Sequence, residues 1–502
     1  MFIDRMKVRQ LEENKNEFKN SQKASASKEH KKKTSSNKEI TVVIYGFLIL
    51  FVLLIGYFIY FNIFQSEKVI NNAHNKRQES FAEDVIKGQI LDSNGEVLAT
   101  TIVGNDGSES RYYPYGKIFA HVVGYDEQGR SGLEADYSFN MLRSNSSIFT
   151  RLNNDLNNQK SMGDNVVTTL DAKLQQAAYS ALGENKGAVV VIDVKTGKIL
   201  TMVSKPAYDP NNIAQNWQSI TETYADQGLL LNRATQGLYP PGSTFKMVTL
   251  LEYIREHPDN YSDYHYNCKG YAEDGDFKLT CINRTVHGEQ NLIDSFANSC
   301  NSAFSTIGLG LDRDKYASTA EDLLFNSELP LGFNYSQSSF TLNKEDNNAM
   351  VMMTAMGQGK TLVSPVHMAM IASAIGNKGI LMNPYLVDHI ENDAGLVVSS
   401  NSPKEYGRLI TEKESTILTE HMKEVVNRGS VRILLNDKYT VAGKTGTAEY
   451  NTEKGLEHTW FVGYSSTEDA DIAFAVLVEG GGTDGVRATA VTKQVLDSYY
   501  NR

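Results

Sequence analysis

YTVAGKTGTAEY at residues 439–450, TWFVGY at 459–464 and DIAFAVLVE at 471–479 are three β-like runs in close succession near the C-terminus. A helical segment, roughly Ala488 to Tyr499, ends the chain. Two more β-like runs lie far upstream. Ala188 to Asp193 is almost continuously apolar, Lys198 to Ser204 is rich in β-formers, and Lys195-Thr196-Gly197 supplies the turn between them. Just before them, Asp171 is placed to cap a helix whose apolar positions Leu174, Ala177, Ala178, Ala181 and Leu182 recur at helical spacing, with Gly183 past its end. Two strands early, three late and helical patterns between them predict an α+β domain whose antiparallel sheet joins the two ends of residues 161–502.

Outward from that domain, the chain of 502 residues is too long for one hydrophobic core. Its net charge of −11 argues against a nucleic-acid partner, whose phosphates need a basic surface. The charge is uneven: residues 1–39 carry a net +5, which leaves −16 on the rest. The division coincides with Ile40 to Phe64, a run without one charged residue and long enough to cross ~30 Å of hydrocarbon as a helix. A cleaved signal peptide fits poorly, because the basic region is too long and no small-residue cleavage site follows. Lys31, Lys32 and Lys33 stand on the N-terminal side, so the positive-inside rule predicts a cytoplasmic tail and an extracytoplasmic domain. The Lys-rich tail itself reads as a disordered, solvated segment.

Residues 65–80 are polar and read as a stalk. Between 85 and 160, short apolar runs alternate with turn signals such as Asp92-Ser93-Asn94-Gly95, which predicts a small pedestal of strand and loop. There are three cysteines. Cys268 and Cys281 are 13 residues apart and either pair as one disulfide, which an exported domain permits, or stay free as thiols. No Cys/His spacing suggests a metal site, and no cofactor motif stands out.

Three short motifs carry chemistry: Ser243-Thr244-Phe245-Lys246, Ser299-Cys300-Asn301 and Lys444-Thr445-Gly446-Thr447. Each string alone is weak, since Ser25 and Lys28, Ser35 and Lys38, and Lys195-Thr196-Gly197 repeat the same letters elsewhere. Context separates them. Ser243 follows Tyr239-Pro240-Pro241-Gly242 and opens a helical pattern, where it is either a capping serine or a nucleophile. Lys246, three residues on, shares its helix face and qualifies as the base that a serine hydroxyl needs, provided desolvation or a nearby cation lowers its pKa. Ser299 suits a proton relay toward a leaving amine, and Asn301 an amide for substrate backbone. Lys444-Thr445-Gly446-Thr447 lies inside a β-like run, where Gly446 permits close approach of a ligand. A peptide can add to such a strand edge. Lys444 suits a substrate carboxylate, and the N–H groups of Ser243 and Thr447 suit an oxyanion hole. His458, the tyrosines of 261–266 and Gly357-Gln358-Gly359 read as packing and turns.

The ordered set Ser-x-x-Lys, Ser-x-Asn, Lys-Thr-Gly resembles that of the penicillin-recognising serine transferases. Ser243 and Ser299 are 56 residues apart and Asn301 precedes Lys444 by 143, spacings similar to those of class B penicillin-binding proteins. Ile86-Lys87-Gly88-Gln89-Ile90, Gly132-Leu133-Glu134, Thr169-Leu170-Asp171, Tyr239 to Lys246, Met356 to Gly359, Thr361 to Pro365 and Trp460 to Gly463 also match, although Lys87 stands where the family more often has Arg. The resemblance implies a five-stranded antiparallel sheet between helical layers, above a pedestal. It implies a D,D-transpeptidase in which Ser243 attacks the penultimate D-Ala of a stem peptide ending in D-Ala-D-Ala. β-Lactams would acylate Ser243, and a polytopic glycan polymerase would be the partner. The expected organisation is a tail at 1–39, a span at 40–64, a stalk and pedestal at 65–160 and the transpeptidase at 161–502. A D,D-carboxypeptidase and a catalytically silent scaffold are the alternatives. A β-lactamase lacks the anchor and pedestal, and a β-lactam sensor needs more than one span.

Overall fold

The computed structural model describes residues 3–61, 83–429, 431–451, 456–481 and 487–501. Residues 1–72 and 73–502 are separate compact units.

The first unit is one helix, Ile3–Tyr60. The tail expected to be disordered is therefore helical. Its Lys, Glu, Gln and Asn residues include no proline, and its first glycine is Gly46, so nothing in it breaks a helix. Lys38–Tyr60 is apolar and long enough to cross a membrane, and its large apolar side chains are exposed, as a lipid-facing helix requires. Residues 62–64 and the stalk expected at 65–80 lie outside the described residues.

In the second unit the five strands read from sequence form one antiparallel sheet. We number them β1 (Gly187–Asp193), β2 (Ile199–Lys205), β3 (Thr440–Asn451), β4 (Leu456–Ser466) and β5 (Ala470–Val478). The order is β3-β4-β5-β1-β2, so the C-terminal strands add to the N-terminal hairpin through the β5–β1 pair, with Val476 opposite Val189. β5 and β1 are central and buried on both faces, which explains their unbroken apolar runs. β3 is an edge, paired only through β4.

Helices cover both faces. α1 (Ala172–Ala181) packs against α2 (Ala488–Tyr500), and both pack on the sheet. Asp171 caps the former, its carboxylate accepting from the Leu174 N–H at 2.8 Å. Against the other face lies Pro365–Gly376, whose residues Pro365 to Ile375 are all buried. An apolar helix without a polar face has to be a central one.

The pedestal is a six-stranded sheet, in the order Val397–Ser400, Val387–Glu391, Asn165–Thr168, Ile90–Leu91, Val97–Val103, Glu109–Tyr112. Two of its strands thus come from beyond residue 380. Short helices, Ala120–Val123, Gly132–Asp136, Ser138–Met141 and Ile148–Leu156, occur among the strands expected between 85 and 160. The Asp92 turn forms as read, and its carboxylate also accepts from the Ala172 N–H at 3.1 Å, tying the pedestal to the start of α1. Beneath it, buried Glu134 takes Lys87 at 2.6 Å and Arg111 at 2.7 Å. A carboxylate without water is stable only because both cations meet it.

Glu134→Ala would leave Lys87 and Arg111 facing a buried void, and a loss of about 3–5 kcal/mol is expected. The denaturant midpoint of residues 73–502, followed by tryptophan fluorescence, measures it; an unchanged midpoint would show that water replaces the carboxylate.

Candidate active site

Ser243 stands in a single 3₁₀ turn, Gly242–Phe245, that leads into helix α3 (Lys246–Glu256). Pro240 and Pro241 cannot continue a helix backwards, so helical structure starts near Ser243 as expected, but as a 3₁₀ turn, with the α-helix beginning only at Lys246. Gly242 has φ +54 and donates its N–H to the Gly357 carbonyl at 2.8 Å. The turn at Gly357-Gln358-Gly359, read as structural, therefore buttresses the residue before Ser243.

Lys246, the first residue of α3, is fully buried. Its Nζ donates to the Ser299 carbonyl and to Asn301 Oδ1, both at 2.7 Å, and lies 3.3 Å from Ser299 Oγ. Lys444 reaches the same point from β3. Its Nζ, also without solvent contact, donates to Ser299 Oγ at 2.9 Å and to the Thr445 carbonyl at 3.2 Å. One serine hydroxyl thus bridges two lysine amines whose Cα atoms belong to opposite ends of the domain. Phe304 and Phe296 face the amines of Lys246 and Lys444, with ring centroids at 5.6 and 5.5 Å.

Burial penalises the charged form of both amines. It pushes Lys246 down to about 7, against a smaller opposing influence of Cys300 and Cys281. Burial, then the neighbouring Lys246 charge, holds Lys444 well below the usual lysine range.

Ser299 adopts φ +53, left-handed backbone that a non-glycine residue takes at a cost. That conformation turns its carbonyl and its hydroxyl toward the amines. Asn301 opens the helix Asn301–Gly310, and its Nδ2 donates to the Thr280 carbonyl at 3.2 Å. Its amide is therefore engaged on both sides, by Lys246 and by the backbone.

The third motif closes against the first. A Cβ on Gly446 would lie 2.8 Å from the Pro241 carbonyl and 2.9 Å from Thr244 Cγ2, and a Cβ on Gly242 would lie 2.5 Å from the Thr447 carbonyl. Two glycines let the edge strand pass over the turn that carries Ser243. Trp460 Nε1 donates to the Pro240 carbonyl at 3.1 Å, holding that turn from the next strand. Thr445 is half-buried and, with Thr447, lies on the edge strand beside the turn. His458 packs edge-on against Tyr239 at 5.3 Å, a packed histidine as read.

Cys268 and Cys281 do not form a disulfide: all three cysteines are free and buried, and the Cys268 and Cys281 sulfurs are 3.8 Å apart. Sequence reading missed what surrounds them. Cys268, Cys281, Cys300 and His287 place their ligand-type atoms within 4.8 Å of one another. Their separations of 13, 6 and 13 residues match no common metal spacing, so no sequence signal marked them.

The penicillin binding protein transpeptidase domain matches residues 187–497, and the penicillin binding protein A dimerisation domain matches residues 87–166. The peptidoglycan D,D-transpeptidase PbpA of Mycolicibacterium smegmatis is 29% identical over 480 residues, covering 90% of this chain and 96% of that protein. Among solved structures, the D,D-transpeptidase domain of a peptidoglycan glycosyltransferase from Eggerthella lenta superposes with a TM-score of 0.74 at 30% identity, over 83% of this chain and 99% of that one. The imipenem acyl-enzyme complex of penicillin-binding protein A from M. tuberculosis superposes with a TM-score of 0.75 at 27% identity, over 84% of this chain and 99% of that one.

Gly446→Ala pushes β3 off the Ser243 turn. Displacements of that order cost ~10²-fold in rate. Stopped-flow acylation by a chromogenic β-lactam is expected to slow by that order while the unfolding midpoint moves little. An unchanged acylation rate would show that strand and turn need not touch.

Proposed function

Because the chain belongs to the penicillin-binding protein transpeptidase family, we propose that Ser243 is its nucleophile and Lys246 the base that activates it. The protein is a serine-type peptidoglycan D,D-transpeptidase. One observation carries the residue assignment: Lys246 lies one helical turn from Ser243, fully buried, with its two shortest hydrogen-bond acceptors supplied by the second motif. A neutral primary amine has two N–H bonds and one lone pair. The Ser299 carbonyl and Asn301 Oδ1 take the two N–H bonds, which leaves the lone pair for the Ser243 proton.

Ser243 Oγ bonds to the penultimate D-Ala carbonyl carbon as its proton passes to Lys246. The carbonyl oxygen becomes an oxyanion, met by the N–H groups of Ser243 and Thr447. The C–N bond to the terminal D-Ala breaks, and the leaving nitrogen takes the proton from Lys246 by way of Ser299 Oγ. The amine of a neighbouring stem peptide then attacks the ester, returns a proton by the same route and releases Ser243 with a new peptide bond. Lys444, held on Ser299 Oγ, keeps the relay oriented and draws the terminal carboxylate. Thr445 and Gly446 offer edge-strand backbone to the stem peptide. β-Lactams occupy the same site, as in the imipenem and penicillin G acyl-enzyme complexes of the M. tuberculosis protein.

The net +5 on residues 1–39 supports a cytoplasmic tail, a span at 40–64 and a catalytic unit outside. The residues from 65 to 160 then serve as stalk and pedestal below a transpeptidase at 161–502. A polytopic glycan polymerase in the same membrane would supply the strands to be joined.

Fluorescent penicillin is expected to label the detergent-purified full chain on Ser243, and Ser243→Ala to remove the label; label retained in that variant would overturn the assignment. Lys246→Ala should slow acylation by ~10²–10⁴-fold, the usual share of a placed base. Because the base acts unprotonated and its pKa is lowered to about 7, acylation should rise with pH through that value and then level off. A flat profile between pH 5 and 9 would assign the proton to another group.

A further inference from the structure

We propose that Cys268, Cys281, His287 and Cys300 form a structural zinc site that holds the Ser299-Cys300-Asn301 motif in place. The four donors are three soft sulfurs and one imidazole, a closed set that suits zinc in tetrahedral geometry. With Zn–S bonds of ~2.3 Å and a Zn–N bond of ~2.0–2.1 Å, the edges of the tetrahedron are about 3.8 Å between sulfurs and about 3.5 Å from sulfur to nitrogen. The structure gives 3.8 Å for Cys268 to Cys281, 3.8 Å for Cys281 to Cys300 and 3.3 Å for Cys268 Sγ to His287 Nδ1. The spacing is too long for a disulfide and fits four ligands around a common centre.

Outer donors match. The N–H of Gly270 points at Cys268 Sγ at 3.3 Å and that of Ala303 at Cys300 Sγ at 3.5 Å, contacts that stabilise thiolates. Ser302 Oγ lies 3.1, 3.5 and 3.2 Å from the sulfurs of Cys268, Cys281 and Cys300. The sulfurs are shielded from water, while His287 is half-buried at the rim.

The segment that carries three of the ligands needs such a staple. Residues 265–291 consist of two-stranded ribbons, His265–Cys268 with Gly288–Asn291 and Tyr271–Asp274 with Phe277–Thr280. Ribbons of two strands are marginal alone. Around the sulfurs only Ala303 is buried with Cys268, Cys281 and Cys300, with Tyr266 against it, and the second ribbon adds a separate small cluster of Ala272, Leu279 and Met352. Zinc would supply what this small core lacks.

The ligands also flank the catalytic amines. Cys300 sits between Ser299 and Asn301, the two acceptors of Lys246. Cys281 follows Thr280, whose carbonyl holds the Asn301 amide. One ion would therefore fix both ends of that contact and keep Ser299 in its left-handed conformation. In this role Cys300 is a positioning residue. The zinc site stands on the cluster alone, and only the positioning effect rests on the transpeptidase reading.

Elemental analysis of the full chain purified without added metal is expected to give one zinc per chain. Cobalt(II) replacement should produce thiolate charge-transfer and tetrahedral d–d bands. Cys268→Ser and His287→Ala should each lower the metal content and shift those bands, whereas Ser243→Ala should keep both. The last variant separates failure of the site from failure of the catalytic assignment. If the ligand variants do not fold, the wild-type protein serves: its three thiols should resist alkylation until a chelator is added. Chelation should slow penicillin acylation at least tenfold, and zinc but not magnesium should restore it. Freely alkylated thiols, a Cys–Cys disulfide in the purified protein, or cobalt spectra without thiolate bands would overturn the site. Unchanged acylation after zinc removal would overturn the positioning role.

Discussion

Two lysine amines without water meet at one serine hydroxyl. Lys246 approaches from the start of a helix and Lys444 from the sheet edge, and Ser299 Oγ lies 3.3 and 2.9 Å from them. Burial disfavours the charged form of both amines, and the charge of Lys246 further disfavours that of Lys444. The proposed mechanism uses Lys246 as a neutral amine, and the surrounding residues favour that form. Phe296 and Phe304 exclude solvent on one side, and the carbonyl of a left-handed Ser299 and the amide of Asn301 satisfy the N–H groups that remain.

The sheet makes the meeting possible. Lys444 and Lys246 are far apart in sequence, and they meet because β3 closes the edge of a sheet whose other end began with β1 and β2. The close passage of β3 over the Ser243 turn needs missing side chains at Gly446 and Gly242. The buried helix Pro365–Gly376 gives the sheet a rigid support, and the pedestal is tied to α1 through Asp92. The six-stranded sheet and the five-stranded sheet that carries Lys444 thus share one framework.

The segment that carries the second motif is held differently. Its ribbons bury only small apolar clusters, one of them Ala272 and Leu279 with Met352, and a cluster of sulfur and imidazole stands beside them. The residue between Ser299 and Asn301 belongs to that cluster, so Cys300 joins a small subdomain to the two residues that accept from Lys246.

The sequence alone determined much of this protein, because local chemistry writes itself into local pattern. The five strands follow from alternating or unbroken apolar runs, the α1 cap from Asp171, the helical start near Ser243 from Pro240 and Pro241, and the motif residues from strings that keep their order and local context. The apolar run after Lys38 declares a span by length and charge. Helicity of the tail was missed because its composition also suits a solvated coil, and only the absence of breakers favoured the helix. Tertiary structure alone decided what depends on distance across the chain. It made Ser299 the bridge between two amines, committed the Asn301 amide on both sides, brought strands from beyond residue 380 into the pedestal and gathered Cys268, Cys281, His287 and Cys300. Such contacts leave no period in a sequence, since the folded path, and not the spacing of residues, sets which side chains meet.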